Sequence, residues 1–243
     1  MRIFRDCEEM IKEIDRELLV CGISCPVKHY QNKKLHGEDQ ITKELIGLGF
    51  VIGKPLKKRD EMIKFVFGDE WEKIKAYCEQ EHLDRVCGKP LNPGHSYKIR
   101  QDMWQKFMIN DETAFDYTYS ERIYWQIENV LEALKEDKHT RQAVIQVFQA
   151  QIDNKKFGGD TRIPCSVDWQ FLIRNNRLNV IYHMRSNDYY GHFPIDIYLS
   201  ASLMQYFRSR LLDFYPDLKT GALTYFAGSL HAYSWDLKEH VVF

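Results

Sequence analysis

The sequence lacks any apolar run of membrane-spanning length, and its opening residues, Met1-Arg2-Ile3-Phe4-Arg5-Asp6, lack the hydrophobic core of a secretion signal. No membrane partner is expected, and a reducing cytoplasm is the simpler setting. Charge of one sign is missing too: 34 Lys and Arg stand against 35 Asp and Glu, a formal net charge of −1. Nonspecific nucleic-acid binding draws on a basic face, so no nucleic-acid partner is expected. Six cysteines, at 7, 21, 25, 78, 87 and 165, show no paired metal spacing. Cys21 and Cys25 are four apart, but no second cysteine or histidine pair completes a zinc site, so no metal is expected. What remains is 44% hydrophobic and 28% charged over 243 residues, which fits one large domain or two small ones.

The stretch that stands out is Arg162-Ile163-Pro164-Cys165-Ser166-Val167-Asp168-Trp169-Gln170-Phe171. Pro164 fixes φ just before Cys165, so the thiol is delivered rigidly to the start of a strand. Val167, Trp169 and Phe171 alternate with Asp168 and Gln170, which puts the two polar groups on the opposite face. Arg162 lies close by in sequence, and a nearby cation raises the thiolate fraction that a nucleophile needs. A buried structural cysteine is the bland alternative for any lone cysteine.

Elsewhere the pattern places elements more than chemistry. Residues 8–19 carry Met10, Ile11, Ile14, Leu18 and Leu19 on one helical stripe. Residues 27–39 form a polar, basic surface loop with Lys28, Lys33, Lys34 and His36. Leu45 to Ile52 reads as a strand, with Gly47 and Gly49 marking a bulge or close approach. Residues 59–85 are helical and acid-rich, and residues 86–112 are a Gly- and Pro-punctuated insertion. A helix with Ile127, Val130, Leu131 and Leu134 as its core stripe runs to Lys138-His139. Strands follow at Ala143–Phe148 and Leu178–Arg185, then a helix over 197–214 for which Asp196 makes an ordinary N-cap, then a last strand with His231 and Tyr233.

Taken in order, Pro164-Cys165, Gln170-Phe171, Met184-Arg185-Ser186-Asn187-Asp188, Pro194-Ile195-Asp196-Ile197 and Gly228-Ser229-Leu230-His231-Ala232-Tyr233-Ser234 resemble the motifs of the thymidylate synthase family. The match covers roughly residues 117–236. The resemblance implies an α/β (α+β) fold, a mainly antiparallel sheet flanked by helices, in a single catalytic domain spanning 1–243. It implies a homodimer packed through its sheets and a pyrimidine nucleoside monophosphate substrate. The expected cofactor is the folate 5,10-methylenetetrahydrofolate.

By resemblance Cys165 is the nucleophile, Gln170, Arg185 and Ser186 position the nucleotide, and His231 and Tyr233 hold the sugar hydroxyl. Asp188 accepts from the pterin, and the second tyrosine of Tyr117-Thr118-Tyr119 lies near the reacting base. Lys33 or Lys34 is a candidate for the substrate phosphate. Arg141 is expected to cross to the partner's phosphate, although Gln142 replaces the second arginine of the family pair and weakens that clamp. The family's proton-handling glutamate has competing placements. Glu61-Met62-Ile63-Lys64-Phe65 resembles its signature, whereas the spacing to Trp104 favours Glu79 or Glu81, and Glu81 follows Trp71, Ile74 and Cys78 onto a buried helical face. The family's long C-terminal tail is expected to be largely absent.

The base-reading position departs from the family. Thymidylate synthases carry asparagine where this chain has Asp196. An amide complements uracil, whereas a carboxyl can accept from the cytosine N4 amine and share a proton with N3. The sequence therefore resembles the branch that hydroxymethylates deoxycytidylate, with dCMP expected before CMP and thymidylate synthesis from dUMP as the alternative. A silent nucleotide-binding regulator and a folate-independent enzyme are the rival readings.

Overall fold

The computed structural model describes residues 1–31, 33–35, 40–109, 113–154 and 162–240, without the side chains of Lys34 and residues 238–240. The expectations for Lys34 and for His36 therefore lie outside the described residues. In chain order the elements are β1 (Arg2–Asp6), α1 (Cys7–Cys21), β2 (Ile23–Pro26), β3 (His29–Tyr30), β4 (Lys33–Lys34), β5 (Ile41–Lys54), α2 (Arg59–Phe67) and α3 (Trp71–Val86). They continue with α4 (Gln101–Trp104), α5 (Tyr119–Glu136), β6 (Val144–Gln146), α6 (Ala150–Asp153), β7 (Ser166–Arg174), β8 (Arg177–Asp188), α7 (Phe193–Leu211), β9 (Lys219–Tyr233) and α8 (Ser234–His240).

The main sheet runs β1-β5-β9-β8-β7-β6, with β2 paired to the first part of β5. Its pairs are antiparallel except β1 with β5 and β8 with β9, which are parallel. One face of the sheet is apolar: Phe50, Ile52, Trp169, Phe171, Val180, Tyr182, Leu223 and Tyr225 are buried there and join one core with α1, α5 and α7. The other face carries Val144, Asp168, Gln170 and His183, all at least partly open to solvent. Strict alternation along β7 and β8 produces this division.

Local chemistry explains the element ends. Thr118 and Glu121 form a reciprocal capping box that starts α5, and Asp6 caps α1 through the Glu9 amide. Asn175 and Asn176 both take positive φ, which closes the tight β7–β8 hairpin. Gly68, at φ 52°, breaks the expected 59–85 helix into α2 and α3.

Other boundaries move as well. The 27–39 loop contains the short β3–β4 hairpin, β5 extends beyond 45–52 at both ends, and the 143–148 strand shrinks to Val144–Gln146. In β7 a bulge between Ser166 and Asp168 turns Ser166 inward and leaves Val167 only half-buried, against the expected alternation. Among the described residues, no helix is long and apolar enough to cross a membrane.

Candidate active site

The start of β7, the ends of β8 and β9 and the first turn of α7 converge at one end of the sheet. α3, the turn before α5 and the β3–β4 hairpin close the other sides around a cavity of ≈ 300 Å³. Cys165, Glu81, Asp196, Arg185, Ser186, Asp188, His231, Tyr233 and Tyr119 all line it. They come from segments more than 150 residues apart in sequence, brought together by the β8–β9 and β5–β9 pairings.

The Cys165 loop is held by Arg185. Its Nε donates to Pro164 O at 2.8 Å and its Nη2 to Ile163 O at 2.9 Å, and the same Nη2 stands 3.8 Å from Cys165 Sγ. Gln31 Nε2 reaches the thiol from the hairpin at 3.6 Å. Arg162 is not the cation beside the sulfur, as its sequence position had suggested. Its guanidinium is buried against the rings of Trp104, Phe107, Phe115 and Tyr117, 5.0–5.7 Å from their centroids, and anchors the loop from the far side. Behind Cys165, the Ser166 amide donates to Tyr119 Oη at 3.2 Å, and the Ser166 and Tyr182 hydroxyls pair at 2.6 Å. Gly228 lets β9 approach β8 closely at Arg185, since a Cβ there would meet Arg185 O at 2.7 Å.

Asp196 is not an N-cap. The helix begins three residues earlier, at Phe193, with Pro194 in its first turn, and Asp196 faces the cavity as a buried side chain. Burial pushes its carboxyl up to about 7, against the Arg85 guanidinium and an Asn187 side-chain hydrogen bond, while Glu81 and Asp188 push the same way as burial. Asp188 is also raised, chiefly by burial; His231 and the Gly191 amide, 3.0 Å from Oδ1, oppose it. Burial lowers His231, whose Nδ1 lies 3.4 Å from the Ser229 hydroxyl, itself donating to Glu44 at 3.1 Å.

Among the described glutamates, only Glu81 lines the cavity. It accepts from Ser96 Oγ at 2.6 Å and from Arg85 Nε at 2.8 Å. The expected apolar setting is thus replaced by an ion pair and a hydroxyl. Glu79 is corrected: its side chain is 57% exposed, beside Lys75 on the outer side of α3, two residues from Glu81 and so on another helical face. Glu61 pairs with Lys58 outside the cavity. Gln170 is corrected for a similar reason. It sits on the face of β7 opposite Trp169, and its Nε2 donates to Arg141 O at 2.8 Å. Arg141 itself is exposed and does not line the cavity, and neither does Lys33.

Sequence reasoning missed Arg85, Ser96, Gln31, Trp104 and His192. The rings of the last two lie 5.0 Å apart and tilted by 57°, each with one buried ring nitrogen that has no partner among the described residues. Arg85 alone had a readable signal, a basic residue four positions after Glu81.

Residues 32–241 match the profile of the thymidylate synthase family, so the chain belongs to that family, whose members are one-carbon transferases acting on pyrimidine nucleotides. It is similar to a putative thymidylate synthase of Methanosarcina acetivorans, at 29% identity over 183 residues, covering 71% of this chain and 78% of the relative. It is equally similar to the deoxycytidylate 5-hydroxymethyltransferase of Enterobacteria phage T4, at 29% over 201 residues, 79% of this chain and 76% of the relative. Its fold is that of a thermostable thymidylate synthase A from Bacillus subtilis, with a TM-score of 0.62 at 13% identity, covering 96% of this chain and 82% of that one.

Proposed function

We propose that the chain is one catalytic domain that hydroxymethylates C5 of a cytosine nucleoside monophosphate, dCMP before CMP, with methylenetetrahydrofolate as cofactor. The observation that carries this reading is Asp196, a buried carboxyl near pH 7 in its titration, in the same cavity as Cys165 and Glu81. A carboxyl of that kind can accept from the cytosine N4 amine while giving a proton to N3. Uracil offers O4 and N3–H instead, and its O4 meets an ionised Asp196 acceptor to acceptor, so discrimination against uracil grows as the carboxyl loses its proton. The phage relative that hydroxymethylates deoxycytidylate supports the same choice.

The chain's own groups then have definite tasks. The Cys165 sulfur adds to C6. Asp196 protonates N3 as charge develops on the ring, a contact that strengthens in the transition state. C5 becomes nucleophilic, and its proton is removed before the cysteine leaves. Glu81, oriented by Ser96 and Arg85, takes that proton, would give it up to the amine of the departing folate, and is then free to take one from the water that supplies the hydroxyl. Arg185 and Ser186 bind the phosphate, and His231 with Tyr233 hold the sugar.

The residues present fit a pterin. Asp188, the buried Trp104 and His192 ring nitrogens and the surrounding aromatic rings offer polar edges beside flat apolar walls. Bound there, methylenetetrahydrofolate supplies the one-carbon unit at the oxidation level of formaldehyde. A silent regulator has no use for a thiol, a carboxyl near 7 and an ion-paired glutamate in one cavity. Folate independence would be supported by turnover undiminished after rigorous folate removal.

The test is incubation with dCMP, CMP, dUMP and UMP plus the folate, with product masses read directly. A gain of CH2O on a cytosine nucleotide is expected. Efficient conversion of dUMP to dTMP, with cytosine nucleotides inert, sinks the reading.

The homodimer is part of the same reading. The sheet face bearing Val144, Gln170 and His183 is open, and Arg141 lies at its edge away from its own cavity. Arg141 then serves the partner's phosphate. Mixing Arg141→Ala with Cys165→Ser subunits is expected to restore one working site per heterodimer. A mixture that stays inactive although subunits exchange removes the cross-subunit role.

A further inference from the structure

Two carboxyl groups of the cavity, Glu81 and Asp196, are asked for different protonation states, and one buried cation, Arg85, acts on both. Arg85 is four residues after Glu81 on α3, and the side chains are 9% and 17% exposed. Its Nε meets Glu81 Oε1 at 2.8 Å, while the other Glu81 oxygen accepts from Ser96 Oγ at 2.6 Å. The guanidinium carbon lies 4.4 Å from the centroid of the Tyr119 ring, which fixes the plane of the group. Asp196 receives an amide from Asn187 and, among the described residues, makes no ion pair.

We propose that Arg85 is the positioning residue that divides the two carboxyls of the site: its guanidinium is committed to Glu81, which it orients for proton transfer together with Ser96, and it leaves Asp196 without an ion-pair partner among the described residues. The inference rests on Asp196 acting as the proton-holding group of the reaction proposed above.

Neighbouring carboxyls in a low-dielectric cavity cannot all be ionised without compensating charge. Asp84 on α3 is already served by the Ser96 amide at 2.8 Å and by His95 and Gln80. Asp188 on β8 faces His231, the Gly191 amide and Arg100. The groups that face Asp196 from α3, α5, β8 and β9, namely Cys78, Tyr119, Tyr182 and Tyr225, are neutral acids whose ionisation burial defers to high pH. Glu81 and Asp196 are left with Arg85, and geometry settles which one it pairs with. A helix spacing of four and a ring-clamped plane hold it on Glu81.

The sign of each perturbation follows. Arg85 lowers Asp196, so removing its charge raises the Asp196 midpoint. Glu81 raises Asp196, so neutralising Glu81 lowers it and frees the guanidinium toward Asp196. The experiment follows the carboxyl band of Asp196 against pH by difference infrared spectroscopy in nucleotide-free protein, with Asp196→Asn as the reference.

Arg85→Met is expected to raise the midpoint by about one pH unit or more, the usual effect of one close charge. Arg85→Lys keeps the charge and stays within about half a unit of wild type. Glu81→Gln moves it down. Equal midpoints in wild type and Arg85→Met, or equal rises in the Met and Lys variants, overturn the role. If Arg85→Met does not fold, Glu81→Gln decides, because a midpoint that rises or stays put overturns it. The measurement uses no substrate, so inert cytosine nucleotides would defeat the substrate reading alone and would leave these midpoints where they are.

Discussion

Cys165→Ser is expected to abolish turnover, by on the order of 10⁴-fold or more, while nucleotide affinity changes little. The side chain is partly exposed in the cavity, and the loop around it is fixed by contacts that serine keeps. Arg185 binds the backbone carbonyls of Ile163 and Pro164, Arg162 sits in its aromatic cage, and the Ser166 amide donates to Tyr119. None of these uses the sulfur. The binding groups Arg185, Ser186, His231 and Tyr233 also remain. Tritium release from C5-labelled nucleotide reports the chemistry, and equilibrium dialysis reports binding. Loss of binding together with unfolding would return Cys165 to a structural role.

The second large effect is expected at Asp196. Asp196→Asn replaces a proton-sharing acceptor with an amide whose NH2 donates to O4 and whose oxygen accepts from N3–H. Preference should swing from cytosine to uracil nucleotide. Relief of a buried acceptor–acceptor mismatch of about 1–3 kcal/mol corresponds to roughly 5–150-fold in relative kcat/KM, before the loss of N3 protonation is added for cytosine. Unchanged preference in the variant would remove Asp196 from base recognition.

The same carboxyl leaves a mark on stability. Its native midpoint of about 7 lies above its ordinary value of 3.8, so between those pH values the folded chain binds more protons than the unfolded one. Stability contributed here is present at low pH and falls as pH rises toward 7, by up to about 4 kcal/mol. Asp196→Asn escapes that loss. Urea midpoints should therefore favour the variant increasingly from pH 5 to pH 8, and a constant difference would contradict the buried titration. In the wild type, kcat/KM for the cytosine nucleotide should fall as pH rises through about 7.

What was legible in the sequence was local. Pro164-Cys165, the Arg185-Ser186 pair in β8 and the His231-x-Tyr233 strand carry their geometry within a few residues, and the structure brings all of them to one cavity. Gln170 illustrates the opposite case. Its alternation with Trp169 already placed it on the other face, and family resemblance overrode a period-two signal that was right. Glu79 and Glu81 were inseparable by composition, because a two-residue step on a helix changes the face but not the neighbourhood in sequence. Ser96 was hidden more deeply, since it meets Glu81 only in the fold, whereas Arg85 was signalled by its spacing from Glu81 but its clamp on Tyr119 was not. Asp196 was singled out as the departure from the family's asparagine, yet its place inside the helix and not at its cap depended on where Pro194 falls in the first turn.

One feature of the sheet bears on how the molecule is made. β9 lies between β5 and β8, yet it is the last strand in the chain. During synthesis every cavity residue from Gln31 to Asp196 leaves the ribosome before the strand that joins the two halves of the sheet. Until Lys219–Tyr233 arrives, β5 and β8 each present an unpaired inner edge, and the rest waits on contacts of high sequence separation. A nascent chain stopped before Lys219 should therefore be a sticky, chaperone-dependent species, and substrate binding should appear as a late, all-or-none event once the central strand has inserted.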